Sequence, residues 1–78
     1  MNSQEYIEVA ISIAPFSEEN AEIVTAEISE LPFESFTMDD PYLKCYIQKE
    51  LYDAHELKIV LSGVDGMGFD VDFNANLM

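Results

Sequence analysis

The sequence has no arginine and no tryptophan, and its three lysines are opposed by sixteen aspartates and glutamates, so the formal net charge is −13. Proteins that bind nucleic acid gain much of their affinity when Lys and Arg displace counterions from phosphates. A negative field also repels anionic membranes. We therefore expect no nucleic acid and no membrane as partners. A basic partner is the natural complement, although solubility alone also accounts for an acidic excess in a small domain.

Cysteine, glycine and proline are also scarce, with one Cys, three Gly and three Pro. A single cysteine, Cys45, cannot form a disulfide within the chain, so an oxidising compartment is not implied. The first residues carry no basic residue and no long apolar run, which argues against a signal peptide or a membrane span. We expect a cytoplasmic protein.

The chain has enough apolar residues to form a core. It has 78 residues, of which 49% are hydrophobic and 12% aromatic, a composition typical of globular proteins. A chain of this length forms one domain, and such a domain buries only about 60% of the surface that its unfolded chain exposes. We expect residues 1–78 to be a single domain of low stability.

Hydrophobic periodicity predicts six elements. Alternating residues indicate strands, and apolar residues spaced by three and four indicate helices. In chain order these are a strand from Tyr6 to Ile13, a helix capped by Ser17 and ended by Pro32, a strand from Phe33 to Met38, a strand containing Leu43 to Gln48, a helix capped by Asp53 and ended by Gly63, and a strand from Phe69 to Phe73. This order predicts an α+β fold, the ferredoxin-like βαββαβ two-layer sandwich, with a four-stranded antiparallel sheet and two helices on one face.

The other face of that sheet is predicted to be open to solvent. Residues of one parity in each strand are apolar and face the helices, so the residues of the other parity form what we call the open face. Ala10 lies among them, with Ser35 and Thr37 at one flank. The predicted partner-binding residues on the open face are Tyr6, Glu8, Ser12, Lys44, Tyr46, Gln48, Asp70 and Asp72.

No residue pattern predicts catalysis, a cofactor site or a metal site. His55 is predicted to be a solvated helix residue, and Cys45 has the inward parity of a core residue rather than a nucleophile. The glycines from Gly63 to Gly68 follow a helix and precede a strand, the reverse of a phosphate-binding loop. Asp39 and Asp40 lack the spacing of a calcium loop and are interpreted as turn residues.

A series of segments along the chain resembles a known family. The segments are Tyr6 to Val9, a helix rich in Ala and Glu, Leu31-Pro32-Phe33-Glu34-Ser35-Phe36, Tyr42-Leu43-Lys44-Cys45-Tyr46-Ile47 and Glu50-Leu51-Tyr52-Asp53. Together they resemble the amino-terminal domain of bacterial ribosomal protein L-eleven methyltransferases of the PrmA type. The most specific part is the Phe-Glu-Ser-Phe run, which is followed after an acidic turn by a Leu-Lys-x-Tyr-Ile strand.

The resemblance implies a noncatalytic substrate-recognition domain of ferredoxin-like fold. In such proteins a second, Rossmann-like domain uses S-adenosylmethionine to methylate amino groups of ribosomal protein L-eleven. We expect that catalytic domain, and its cofactor, to be absent from this chain. The implied partners are the basic ribosomal protein L-eleven and the protein's own catalytic domain.

Two other functions share some of these features. A stand-alone ACT-like regulatory or small-molecule-binding domain has the same order of elements and usually pairs its sheet with that of another subunit. An acidic protein that imitates DNA is suggested by charge alone and would carry rows of carboxylates at phosphate-like spacing. A monomer in solution would favour the docking domain, and a dimer with a ligand between subunits would favour the regulator.

Overall fold

The computed structural model describes residues 5–78, which form one sheet and one layer of helices. In chain order the elements are β1 (Tyr6–Ala14), α1 (Glu18–Ile28), β2 (Ser35–Asp39), β3 (Tyr42–Gln48), a short 3-10 helix (Lys49–Leu51), α2 (Ala54–Ser62) and β4 (Asp70–Leu77). The sheet is antiparallel with the strand order β2-β3-β1-β4. The predicted ferredoxin-like α+β fold, with β1 and β3 as central neighbours, is confirmed.

The core lies between the helices and one face of the sheet. Along β1 and β3 every second side chain is buried, from Val9 and Ile11 on β1 to Leu43 and Cys45 on β3. The strict alternation of the sequence produces this arrangement, because successive side chains of a strand point to opposite faces. The buried helix residues that meet these strands are Ala21, Val24, Ile28, Leu57 and Leu61.

Both helices begin at the predicted capping residues. The Ser17 side chain accepts a hydrogen bond from the Asn20 N–H, and the Asp53 side chain accepts from the N–H groups of His55 and Glu56. Each cap occupies N–H groups that have no partner within the helix. Gly63 is the C-cap of α2, as predicted. Within residues 5–78, neither helix is long and apolar enough to cross a membrane.

The first helix ends earlier than its apolar stripe predicts. α1 ends at Ile28, and Leu31 lies beyond it, half-buried against the core. Pro32 disfavours helical backbone at the residue before it, which removes Leu31 from the helix. The Ser29 hydroxyl donates to the Ala26 carbonyl, and the Leu31 N–H donates to the Ile28 carbonyl, so the last turn tightens instead of continuing.

Two strands, β2 and β4, differ from their predicted ranges by more than one residue. β2 begins at Ser35 rather than Phe33 and includes Asp39, so the turn to β3 consists of residues 40–41. β4 begins at Asp70, one residue later than predicted, and continues to Leu77. We had predicted that residues 74–77 lie beyond the end of this strand. Pairing with β1 extends it, since Ile7 lies opposite Leu77 and Glu8 opposite Asn76.

Candidate protein-binding surface

The structure places all the predicted partner-binding residues on the face of the sheet opposite the helices. Strand pairing brings them into rows, with Tyr6 opposite Gln48 and Glu8 opposite Tyr46. Lys44 lies opposite Ala10 on one side, and Ser12 lies opposite Asp72 on the other. The same register adds further residues to this open face, namely Ala14 of β1, Ser35, Thr37 and Asp39 of β2, Tyr42 of β3, and Asn74 and Asn76 of β4.

Tyr46 and Glu8 form a hydrogen-bonded pair at the centre of the open face. The Tyr46 hydroxyl donates to Glu8 Oε2 at 2.9 Å, and both side chains are half-buried. This hydrogen bond is the main cause that raises the pKa of Tyr46 above its ordinary value, because it exists only while the phenol keeps its proton. The carboxylate is therefore held in a fixed position beside an aromatic ring.

Glu34 accepts hydrogen bonds from two of the predicted residues and was not itself predicted. Tyr6 Oη donates to Glu34 Oε1 at 3.0 Å, and Gln48 Nε2 donates to Glu34 Oε2 at 2.9 Å. The bond to Glu34 also raises the pKa of Tyr6. Strand parity would have directed Glu34 inward. However, β2 starts only at Ser35, the residue after Glu34. The Glu34 N–H donates to the Tyr46 carbonyl, outside the regular pairing in which Ser35 lies opposite Tyr46.

Lys44 lies on the open face, and Asp39 partly neutralises its charge. Its Nζ lies 3.1 Å from Asp39 Oδ2, and this contact raises the lysine pKa. Asp39 was predicted as a turn residue only, but it ends β2 on the same face as Lys44. An exposed ion pair of this kind contributes little net stability, so Lys44 remains able to exchange partners.

The flank formed by β4 has aspartate side chains at one end and asparagine side chains at the other. Asp70 and Asp72 are exposed, and Asn74 and Asn76 follow them on the same face. The Ser12 hydroxyl donates to the Asp72 carbonyl at 3.4 Å. We conclude that, among residues 5–78, the open face carries the ammonium group of Lys44 and a larger set of carboxylates contributed by Glu8, Glu34, Asp39, Asp70 and Asp72.

The other candidate residues lie away from this face. His55 is exposed on α2, and Cys45 is buried, which raises the pKa of its thiol to about 12 and keeps it unreactive. Gly66 and Gly68 have positive φ in the loop before β4, which explains glycine there as a backbone requirement. Across residues 5–78 no group of three or more His, Cys, Asp or Glu is arranged to hold a metal ion.

An apolar cavity that we did not predict lies at one end of the helical layer. It has a volume of about 200 Å³ and is formed where α2 and the 3-10 helix approach the segment after α1. Burial beside this cavity is the main cause that raises the pKa of the Tyr52 phenol. The lining residues are Leu31, Pro32, Phe33, Ile47, Leu51, Tyr52, Asp53, Glu56 and Leu57. These residues come from three separate segments, so no local sequence pattern marks the cavity.

Comparisons of the chain with models of protein families, with curated proteins and with solved structures found no match.

Proposed function

We propose that this chain is a noncatalytic docking domain that binds a basic protein through the open face of its sheet. The observation that carries the proposal is the set of carboxylates around Tyr6 and Tyr46, on the face of the sheet opposite the two helices that the structure describes. Complementary charge steers a basic partner toward such a surface and discriminates against nucleic acid.

Tyr6 and Tyr46 contribute more than charge to this surface. Tyrosine is enriched among the residues that dominate binding energy at interfaces, because it buries a large ring and keeps a polar group. Here each hydroxyl already donates a hydrogen bond to a carboxylate, from Tyr6 to Glu34 and from Tyr46 to Glu8. Carboxylates that are already fixed lose less side-chain entropy when a lysine or arginine of the partner binds them.

The family resemblance gives the proposal a specific form. The domain would recognise ribosomal protein L-eleven for a methyltransferase, and a separate S-adenosylmethionine-dependent domain would methylate the amino groups. In that role this chain contributes binding and orientation but no catalytic group. The support for the basic partner comes from the charge of the open face, and the support for this particular partner comes from the resemblance.

Calorimetric titration with purified ribosomal protein L-eleven tests the proposal. We expect saturable binding that weakens between about 50 mM and about 200 mM salt, because screening shortens the range of the attraction. Glu8→Lys combined with Tyr46→Ala should weaken binding at least tenfold, or about 1.4 kcal/mol, because it removes the central pair and reverses one charge.

A charge-matched variant separates this site from a general effect of net charge. Glu22→Lys makes the same charge change on the exposed side of α1, in the helical layer. We expect it to leave the affinity within about threefold at moderate salt, where charges more than about 10 Å away are screened. Equal losses of affinity in the Glu22→Lys variant and in the double variant with Glu8→Lys and Tyr46→Ala would contradict binding at the open face.

The apolar cavity favours a second candidate, the ACT-like regulatory or small-molecule-binding domain. A cavity of about 200 Å³ exceeds the roughly 150 Å³ that accommodates a benzene-sized molecule in an engineered protein. Sedimentation of the same samples distinguishes the two candidates. A monomer that binds the basic protein supports the docking domain, and a dimer that forms on adding a small apolar ligand supports the regulator.

A further inference from the structure

We infer that the basic partner binds by adding an extended segment, antiparallel, to the free edge of β4. In this segment basic side chains would alternate with apolar ones. This inference rests on the proposed function and specifies how the partner is held. Edge strands offer unpaired N–H and C=O groups to another chain, and peptide binding by strand addition uses them.

The hydrogen bonds show which backbone groups of β4 are free. β4 is the last strand in the sheet, and the Met78 N–H donates to the Tyr6 carbonyl. In an antiparallel pair, residues alternate between bonding to the neighbour and pointing away from it. Even-numbered positions of β4 therefore bond to β1. The positions whose backbone groups point away from the sheet are Val71, Phe73, Ala75 and Leu77.

This edge has little of the protection that edge strands usually carry. Pairing with β1 is continuous from Ala14–Asp70 to Ile7–Leu77 without a bulge, and β4 contains no proline or lysine. The opposite edge strand, β2, is only five residues long and is followed closely by Pro41. β4 is thus the longer and more regular of the two edges.

One carboxylate occupies part of the β4 edge. Asp72 Oδ1 accepts the outward-pointing N–H of Phe73 at 2.9 Å. A carbonyl of an added strand would take over this N–H and release the Asp72 carboxylate toward the open face. There the carboxylate can pair with a lysine or arginine of the added strand, so the exchange favours a basic segment.

The two sides of β4 define the alternating pattern of its partner. On the open face Asp70 and Asp72 attract basic side chains, followed by the amides of Asn74 and Asn76. On the helical side a groove of about 200 Å³ lies beside Val71 and Phe73. Leu77 continues this apolar row and is 53% exposed. The lining of the groove is completed by Lys58, Leu61, Ser62, Asp65 and Asp72.

Charge argues for a basic segment rather than a second copy of the chain. A second β4 would bring two more aspartates and no cation to the junction, and each chain carries a net charge of −13. An added strand with lysines or arginines would neutralise Asp70 and Asp72 instead.

A designed peptide tests the mode of binding independently of any natural partner. The probe is an acetylated and amidated peptide of alternating valine and lysine, about eight residues long to match a strand. Amide hydrogen exchange is followed by NMR with and without the peptide. We expect exchange at Val71, Phe73, Ala75 and Leu77 to slow at least about tenfold on saturation, and even-numbered positions to change little.

Matched peptides and one variant supply the controls. N-methylation of the valines removes the N–H groups that an antiparallel strand would direct at β4 and should abolish binding, whereas N-methylation of the lysines should preserve it. Ala75→Pro removes one outward N–H and spares the bonds to β1, so the folded variant should bind at least about threefold more weakly. A peptide with glutamate in place of lysine should not bind.

The outcomes separate this inference from the proposed function. Equal binding of both N-methylated peptides, with fast exchange at Phe73 and Ala75, would overturn strand addition while leaving the acidic face as a docking site. A dimer of the free domain with protected outward amides would overturn the choice of partner. Failure of every lysine peptide and of ribosomal protein L-eleven to bind would overturn the proposed function itself.

Discussion

At the scale of single residues, the hydrogen bond to Glu8 is the main cause that raises the pKa of Tyr46. The phenol donates a 2.9 Å hydrogen bond to the carboxylate, and ionisation would lose that bond and place two anions together. We predict that Glu8→Gln lowers the pKa of Tyr46 toward its ordinary value of 10.0. Because the folded-state pKa is raised, this pair stabilises the fold below the unfolded pKa and loses that effect as pH rises through the folded value.

NMR titration of the tyrosine ring carbons measures each phenol separately. The matched control is Glu34→Gln, which leaves Tyr6 a neutral amide oxygen as acceptor in place of a carboxylate and should lower the pKa of Tyr6 while leaving the pKa of Tyr46 unchanged. Parallel shifts of both tyrosines in either variant would mean that net charge, rather than the individual hydrogen bonds, sets these pKa values.

At the scale of elements, the start of α2 depends on one side chain. Asp53 accepts hydrogen bonds from the backbone N–H groups of His55 and Glu56. We predict that Asp53→Ala lowers the free energy of unfolding by about 1 kcal/mol, which lowers Tm by roughly 4 to 8 °C in a domain of this size.

Thermal unfolding followed by circular dichroism tests the contribution of the cap. Asp53→Ser keeps an acceptor at the same position and should restore most of the lost stability. Asp65→Ala removes an equal charge from an exposed loop residue and should change Tm by less than Asp53→Ala does. If Asp65→Ala had the larger effect, charge rather than capping would control the stability of α2.

Local patterns predicted the elements well where they are strict, and less well where pairing decides. β1 and β3 alternate without exception and were placed correctly. The alternation continues through Asn74 and Asn76, but asparagine disfavours strands, so the prediction for β4 ended at Phe73. Pairing with β1 overrides that local preference. The sequence of one strand does not show which residues of the neighbouring strand it pairs with, so the length of β4 could not be predicted from its own residues.

The candidate site was predictable only as far as strand parity extends. Parity correctly assigned Glu8, Tyr46 and Asp72 to one face. It missed Glu34, which lies just outside β2, and the role of Asp39, which looked like part of a turn. The apolar cavity was missed for a related reason, since its walls come from segments far apart in the chain.

At the scale of the whole molecule, like charges crowd a small volume. Sixteen acidic residues and three lysines belong to a chain whose described part measures 45 × 23 × 17 Å. Within residues 5–78 the ion pairs are Lys44–Asp39 and Lys49–Glu5, and exposed pairs of this kind contribute little to stability. Repulsion among the remaining carboxylates therefore opposes folding.

We predict that sodium chloride raises Tm between about 10 mM and about 150 mM, as the screening length falls from about 30 Å to about 8 Å. When the screening length is about 30 Å, most carboxylates in the molecule repel one another. When it is about 8 Å, only neighbouring carboxylates do. Glu22→Gln with Glu27→Gln should reduce this increase, because it removes two of the repelling charges on α1. A Tm that stays constant or falls with salt would mean that attractive pairs outweigh repulsion. The same salt should weaken binding to a basic partner, so stability and affinity are expected to respond to salt in opposite directions.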